Sequence, residues 1–289
     1  MISVSGKSKV YGIIGDPVAH SLSPRMQNYA LRFFDIDAVY VPFHVVPEAL
    51  PSAIEGLRAL SVAGFNVTVP HKEAILPWLD EIDGRAQLIG AVNTVVCQEG
   101  RLVGYNTDAP GFLQAVCDEL HFQPPGKQVV LLGAGGACRA AVVALAEAQV
   151  DTITVANRSV ERAEKLSNAL APHFPKVEFM ALAYTDSQYL CWLAEADLIV
   201  NSTSVGLAGE DINFLPLDCI KGSALISDMV YSVSETPLIK KAQRMKFNAT
   251  GGLGMLAAQG EEAFRLWTGM DLPVGFMRRF LADDKADSC

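Results

Sequence analysis

Positive charge is scarce in this 289-residue chain: 23 lysines and arginines stand against 32 aspartates and glutamates, a formal net charge of -9. A nucleic-acid binder needs a basic face to neutralise phosphates, so that class of function is set aside. Long apolar runs are missing as well. None approaches the ~18 residues of a membrane span, and the first residues lack the apolar core of a signal peptide. The expectation is a cytoplasmic protein that does not engage membranes. The six cysteines (Cys97, Cys117, Cys138, Cys191, Cys219 and Cys289) form no CxxC pair and no metal-like spacing. Reduced, mostly buried thiols and no metal site are expected. Repeats and low-complexity tracts are absent too. What remains is a chain half apolar and only 19% charged, which is the composition of a globular protein long enough for two domains.

The stretch that organises the chain is Gly64-Phe-Asn-Val-Thr-Val-Pro-His-Lys72. It reads as a short strand with Phe65, Val67 and Val69 on one face and Asn66 and Thr68 on the other. Pro70 stops the ladder and suits a first helical turn, where its missing N–H costs nothing. Two polar side chains therefore sit at a strand end, with Lys72 just beyond. An unpaired buried polar group costs about 1–3 kcal/mol, so Asn66 and Thr68 imply either a binding role or an edge strand wetted on one face.

The chain before this point reads βαβαβ. Val10–Gly15 is a buried strand that follows a polar start over residues 3–9. Residues 16–24 form a turn-rich loop ending in Ser23-Pro24, an N-cap and first-turn pair. The helix over 24–34 presents Met26, Ala30 and Phe33 at helical spacing, and a strand at 39–45 contains Pro42, which implies an edge position or a bulge. A helix over 47–60 then leads to the organising strand. After it come a helix through Leu79 and a hairpin from 91–96 and 101–105 around Gln98-Glu-Gly100. The second strand runs into Asn106-Thr-Asp108 and a helix to about Leu120. Asp108 is either that helix's cap or, with Lys72, one of two ionisable groups at polar strand ends.

A composition break at His121-Phe-Gln-Pro-Pro-Gly126 opens a second unit. The continuous apolar run Gln128–Leu132 suits a parallel strand buried on both faces. Gly133-Ala134-Gly135-Gly136-Ala137-Cys138-Arg139 and an alanine-rich helix follow at once. Strand, glycine turn and helix is the context of a dinucleotide fingerprint, in which backbone N–H groups and the helix N-terminus meet a pyrophosphate. The third glycine of GxGxxG is replaced. The next strand ends in Asn157-Arg158-Ser159, where an NAD-binding protein usually has a carboxylate for the ribose hydroxyls. A guanidinium instead binds a 2′-phosphate, so NADP is favoured over NAD. Ser159 is read as the cap of the helix behind it. Leu198–Gly206 and Ala224–Tyr231 are further buried strands leaving into polar loops. From Asn248 the chain turns into a helix with Leu256, Gln259, Ala263 and Leu266 along one side. A Gln at that position is ordinarily solvated. The last residues, 282–289, read as a frayed tail.

With these residues in view, the chain resembles the shikimate dehydrogenase family over nearly its whole length. The matching blocks are SLSP (21–24), FNVTVPHK (65–72), IGAVNT (89–94), GYNTDAPGF (104–112), GAGGACRA (133–140), ANRS (156–159), NSTSVG (201–206), DMVY (228–231) and GGLGMLAAQG (251–260). The resemblance implies an α/β protein of two α/β domains. Residues 1–108 would form a substrate domain, completed by C-terminal helices at 253–289, and 109–252 a Rossmann NADP-binding domain. It implies reversible reduction of 3-dehydroshikimate to shikimate by NADPH, a step of aromatic amino-acid biosynthesis, by a monomer or homodimer.

Carried over by position, the family's catalytic pair falls on Lys72 and Asp108, and its substrate-binding residues on Ser21, Ser23, Asn66, Thr68, Asn93, Tyr231 and Gln259. The cofactor side falls on Gly133, Ala134, Gly135, Gly136, Ala137, Asn157, Arg158, Ser159, Ser202, Thr203, Met229, Gly252 and Met255. Two departures stand out: Cys138, where Ser or Gly is common, and Ser232-Val233-Ser234, where the family often has a proline. A quinate-accepting enzyme of the same fold, a non-catalytic NADP sensor and another two-domain NADP enzyme are the alternatives. Retention of Lys72 and Asp108 speaks against the second, and the FNVTVPHK and NTD blocks against the third.

Overall fold

Two separate six-stranded sheets account for nearly all the apolar strand segments, and the chain divides into two compact units, Met1–Thr107 with Ala257–Cys289, and Asp108–Leu256. The computed structural model describes residues 4–231 and 235–286.

In the first unit the elements run β1 (Lys9–Gly15), α1 (Ser23–Phe33), β2 (Ala38–His44), α2 (Leu50–Ala59), β3 (Gly64–Val67), α3 (His71–Ala74), β4 (Glu81–Ile82), α4 (Gly84–Ile89), β5 (Thr94–Gln98) and β6 (Arg101–Tyr105). The sheet order is β2-β1-β3-β5-β6-β4. β1 pairs in parallel with both β2 and β3, while β5 runs antiparallel to β3 and β6. Pro42 does lie on an edge strand, β2. The organising strand does not: β3 is flanked on both sides and all four of its residues are buried. The wetted-edge reading of Asn66 is thereby overturned. Ile14, Phe65, Val67, Val92, Val95 and Leu102 form its core with Ile54 and Leu57 of α2.

Several local expectations change. Val69 does not join Phe65 and Val67. It is 66% exposed, because the chain leaves the sheet after Val67 and turns, with His71 N–H donating to the Thr68 carbonyl at 2.9 Å. The helix expected through Leu79 breaks after Ala74 into a short 3₁₀ turn at Leu76–Trp78. Pro77 explains this, since it lacks an N–H and crowds the preceding turn. Phe33 is largely exposed, its ring edge-on to Phe276 at 4.8 Å, and the buried stripe of α1 is Ser23, Met26, Gln27, Ala30 and Leu31. The polar start is tied down, with Lys9 N–H donating to the Asp37 carbonyl at 3.0 Å and Ser5 Oγ to the Asp37 carboxylate at 3.0 Å.

The second unit comprises α5 (Asp108–Leu120), β7 (Gln128–Leu132), α6 (Gly136–Glu147), β8 (Thr152–Asn157), α7 (Val160–Leu170), β9 (Glu178–Ala183), α8 (Tyr189–Glu195), β10 (Leu198–Asn201), β11 (Leu225–Asp228), α9 (Pro237–Arg244) and β12 (Asn248–Thr250). All strands are parallel in the order β12-β11-β10-β7-β8-β9, the doubly wound arrangement of a dinucleotide-binding fold. Such sheets bind ligands where the winding reverses, here between the ends of β7 and β10. Val129 to Leu132 are at most 1% exposed, as a strand covered on both faces requires. α6 packs closely because its buried residues are mostly alanine and valine.

α10 (Leu253–Thr268) begins in the second unit and continues in the first, so the break after Leu256 falls inside a helix. Trp267 near its end donates to the Val95 carbonyl at 2.9 Å. α11 (Phe276–Ala286) takes in residues 282–286 of what the sequence suggested was a frayed tail, since Phe276, Met277 and Leu281 are buried and hold it; residues 287–289 lie outside the described residues. Ser232-Val233-Ser234 lie outside the described residues.

Candidate active site

Polar side chains of the first unit meet at the ends of β3, β5 and β6 in one hydrogen-bonded chain. Asn66 is 5% exposed, and both its amide hydrogens are committed, to the Asn93 carbonyl at 3.0 Å and to Thr94 Oγ1 at 3.0 Å. Its Oδ1 accepts from the Tyr40 hydroxyl at 2.7 Å. Asn66 therefore has no hydrogen left to donate, and a ligand would find only a remaining lone pair. Asn93, 3% exposed, accepts at Oδ1 from the Thr107 N–H at 2.7 Å and donates from Nδ2 to Thr107 Oγ1 at 3.0 Å. Thr107 Oγ1 also lies 3.1 Å from Thr94 Oγ1 and 3.5 Å from Gln259 Oε1. Gln259 is buried, not solvated.

Ser23 is the first residue of α1 and makes no cap bond of its own. Instead Ser21 Oγ accepts its N–H at 3.3 Å, and its hydroxyl hydrogen-bonds the Tyr40 phenol. The expected cap is thus displaced by a tertiary partner. Thr68 donates its N–H to the Ile14 carbonyl at 2.9 Å. Half-buried Lys72 is fixed through its backbone, its carbonyl accepting the Val92 N–H at 2.8 Å. The preceding His71 is 1% exposed, with Nε2 2.6 Å from the Val45 carbonyl. The structure so brings Ser21, Ser23, Asn66, Thr68, Lys72, Asn93 and Gln259 into one unit. Asp108 and Tyr231 belong to the other. Asp108 opens α5, 7% exposed, one peptide bond beyond the Thr107 that Asn93 holds.

The remaining candidates gather at the strand ends of the second sheet. Gly133 has a φ of +106°, and a Cβ there would lie 3.0 Å from the Thr203 methyl and 3.1 Å from Ser202 Oγ. Only glycine combines that conformation with so close an approach. α6 then starts behind Gly135 with no side-chain cap, which leaves its first N–H groups facing the loop. Asn157 donates to the Ser159 carbonyl at 2.9 Å and Arg158 is exposed at the loop apex. Ser159 does not cap α7; its hydroxyl donates to Glu161 at 2.6 Å, and that bond, more than any other influence, lowers the Glu161 pKa. Thr203 is tethered to Asn201 through its N–H at 3.1 Å and its hydroxyl at 2.7 Å. Gly252 sits against the Met229 carbonyl, 2.5 Å from where a Cβ would be. Ala134, Gly136, Ala137 and Met255 are partly exposed around the same loops.

Sequence reasoning missed Tyr40, Thr94, Asn201 and Asp228 as parts of these networks. Asp228 is wholly buried, accepting from Asn201 Nδ2 at 2.8 Å, the Val230 N–H at 3.1 Å and the Thr236 hydroxyl at 2.6 Å. Burial raises its pKa against those three bonds. The signal available was its place in the DMVY block, at the end of an apolar strand. No signal marked Tyr40, which reads as an ordinary strand aromatic.

The family model described as shikimate dehydrogenase substrate binding domain matches residues 13–95, that of shikimate / quinate 5-dehydrogenase matches 118–246, and that of the shikimate 5′-dehydrogenase C-terminal domain matches 252–279. The NADP(+)-dependent shikimate dehydrogenase of Geobacter metallireducens is 48% identical over 96% of this chain and 97% of its own. This chain belongs to the shikimate dehydrogenase family. Among solved structures, the shikimate dehydrogenase of Aquifex aeolicus superposes with a TM-score of 0.86 at 40% identity, covering 96% of this chain and 98% of that one. The Thermus thermophilus shikimate 5-dehydrogenase, solved with NADP(H) and shikimate, gives 0.84 at 37% identity over 95% and 99%. The shikimate dehydrogenase frame thus spans both sheets, and each unit carries one of the two candidate ionisable groups, Lys72 or Asp108.

Proposed function

We propose that this member of the family reduces 3-dehydroshikimate to shikimate reversibly with NADPH, with Lys72 and Asp108 as its catalytic residues. The observation that carries the reading is the buried network around Asn93 and Thr107. It holds amides and hydroxyls in fixed orientations beside Lys72, on a unit whose family is named for binding this substrate. A small carboxylated triol needs such a site, because its hydroxyls and carboxylate are distinguished only by the direction of hydrogen bonds. Ser21, Ser23, Thr68, Asn93, Gln259 and Tyr231 are the residues proposed to bind it. Asn66, with its hydrogens already spent, supports them.

NADP fits the second unit. The glycine at 133 opens a cradle that any Cβ would fill, the uncapped start of α6 suits a pyrophosphate, and Arg158, exposed after a strand that ends in Asn157 and not in a carboxylate, suits a 2′-phosphate. Gly133 to Ala137, Asn157 to Ser159, Ser202 and Thr203 would hold the dinucleotide, with Met229, Gly252 and Met255 toward its nicotinamide end. Bound NADPH supplies a hydride to the ring carbonyl carbon. As charge develops on the carbonyl oxygen, the Lys72 ammonium stabilises it and donates the proton that completes the hydroxyl; in the oxidation direction the amine takes that proton back. Asp108 contributes the carboxylate that orients the reacting hydroxyl. The protein is proposed to act in the cytoplasm as a monomer or homodimer. Among the described residues no helix is long and apolar enough to cross a membrane.

The test crosses shikimate and quinate against NADP and NAD, following nicotinamide absorbance. Fast turnover with shikimate and NADP is expected. Lys72→Ala should lower kcat by about 10²–10⁴-fold, the range of a lost general acid–base group. A variant that raises only KM would remove Lys72 from the chemistry.

A further inference from the structure

Among the described residues, Tyr40 is the one buried phenol that joins two elements carrying candidate substrate residues. It lies in β2, is 2% exposed, and donates its hydroxyl hydrogen to Asn66 Oδ1 at 2.7 Å in β3. Its oxygen is also the hydrogen-bond partner of the Ser23 hydroxyl at the head of α1. The backbone reinforces the same junction, since the Tyr40 N–H donates to Asn28 Oδ1 at 2.9 Å and Asn28 Nδ2 returns to the Tyr40 carbonyl at 2.7 Å. α1 is thus fastened to the strand through Asn28 at the Tyr40 backbone and Ser23 at its phenol.

From Asn66 the chain of bonds continues through Thr94 and Asn93 to Thr107. Each member's direction is set by its neighbour. The Asn66 amide can face only one way once its hydrogens go to the Asn93 carbonyl and Thr94 Oγ1, and this is what makes Oδ1 the acceptor for Tyr40. Removing the phenol oxygen would leave Asn66 Oδ1 and the Ser23 hydroxyl without the partner that now orients them. The cost would fall on geometry, because a site that reads hydroxyls by direction loses affinity when its donors can rotate.

We propose that Tyr40 is a positioning residue for the substrate: it sets the orientation of Ser23 on one side and, through Asn66, of Asn93 on the other, without itself touching the ligand. The inference rests on the reading of the first unit as the shikimate-binding unit.

Tyr40→Phe keeps the ring and removes only the oxygen. The KM for shikimate should rise about 5–20-fold, while kcat and the KM for NADP stay within two-fold of wild type. Tyr11→Phe is the control, because Tyr11 is also buried in the same sheet and stacks at 5.1 Å on Trp267, which the Tyr40 ring meets tilted at 6.0 Å, yet among the described residues it bridges no candidate residue. It should leave all three constants unchanged. In Ser23→Ala/Tyr40→Phe the shikimate KM should rise above that of Ser23→Ala by a smaller factor than Tyr40→Phe raises the wild-type value, since only the Asn66 side is then left for the phenol to orient. An unchanged shikimate KM in folded Tyr40→Phe overturns the proposal, as does an equal loss in Tyr11→Phe or an equal rise in the KM for NADP. Wild-type protein inactive on shikimate would instead overturn the functional reading, and the inference with it.

Discussion

Cys138 shows how position decides the chemistry of a residue. It is wholly buried in the first turn of α6, and burial pushes its thiol up to about 12, with the neighbouring Ser202 hydroxyl acting the other way. The thiolate is the reactive form, so Cys138 should resist iodoacetamide at pH 8 in the native protein. Cys191 and Cys219 are exposed and should be alkylated, an outcome that peptide mass mapping reads directly. Labelling of Cys138 at the rate of Cys191 would mean that the glycine turn opens in solution. The expectation of mostly buried thiols was wrong for these two, because α8 and the turn at Leu217–Cys219 put them on the outer surface. Arg158 makes the opposite case, a charge left exposed where a ligand phosphate would meet it. A charge-assisted hydrogen bond contributes about 1.5–3 kcal/mol, so Arg158→Ala should raise the KM for NADP about 10–100-fold and leave that for NAD nearly unchanged. Equal losses with both cofactors would show that the guanidinium does not read the 2′-phosphate.

Among the elements, the starts of the two central strands of the second sheet, β7 and β10, are tied by the carboxylate of Asp197. Asp197, just before β10, accepts the Gln128 N–H at 3.0 Å and the Lys221 ammonium at 3.0 Å, with Lys127 at 3.7 Å. Burial works to raise its pKa, but the Gln128 N–H and the two lysines together hold it below the ordinary 3.8. A carboxylate with a depressed folded pKa binds fewer protons folded than unfolded below that value. Its stabilisation is therefore complete above about pH 3.8 and lost as the pH falls through the folded pKa. Urea unfolding of Asp197→Asn should show a deficit that is constant from pH 7 to 5 and shrinks below 3.8. A deficit that persists undiminished in acid would assign the loss to hydrogen bonding alone. The same reasoning at element scale accounts for α3. Its four residues end ahead of Pro77, so the lysine rides on a single turn pinned by Val92 and His71, not on a long helix.

At the scale of the whole molecule, a net charge of -9 must accommodate two anionic ligands, a carboxylate and a dinucleotide with several phosphate charges. Bulk attraction cannot do this, so recognition is proposed to fall to local groups: helix N–H donors, Arg158, and oriented hydroxyls and amides. Ligand binding to the native chain alone also stabilises it by mass action. NADP at about 100 times its Kd should therefore add about 2.7 kcal/mol to unfolding. Calorimetry with and without NADP reads this as a rise in the unfolding midpoint. No rise at saturating NADP would remove the cofactor from the second unit.

The class of fold, the glycine turn and the lack of a carboxylate at the end of β8 were legible in the residues alone, because each depends on neighbours a few residues apart. Strand periodicity, a Gly run before an alanine-rich helix, and the replacement of an acid by Arg158 are all local facts. The sequence also marked Asn66 and Thr68 as out of place in a buried strand. Local pattern could not decide whether β3 was an edge, since that depends on β5, a strand nearly thirty residues later that folds back antiparallel beside it. Nor could it find Tyr40, whose importance lies in an oxygen meeting Asn66 from 26 positions away. Tertiary structure alone decided where the hydrogen bonds go. Asn66 proved to be a hub with its donors spent, Ser23 gave up its cap for a phenol, and Gln259 turned inward to Thr107. In each case a buried polar group takes whichever partner the packing brings within reach, because leaving it unpaired costs more than any local preference returns.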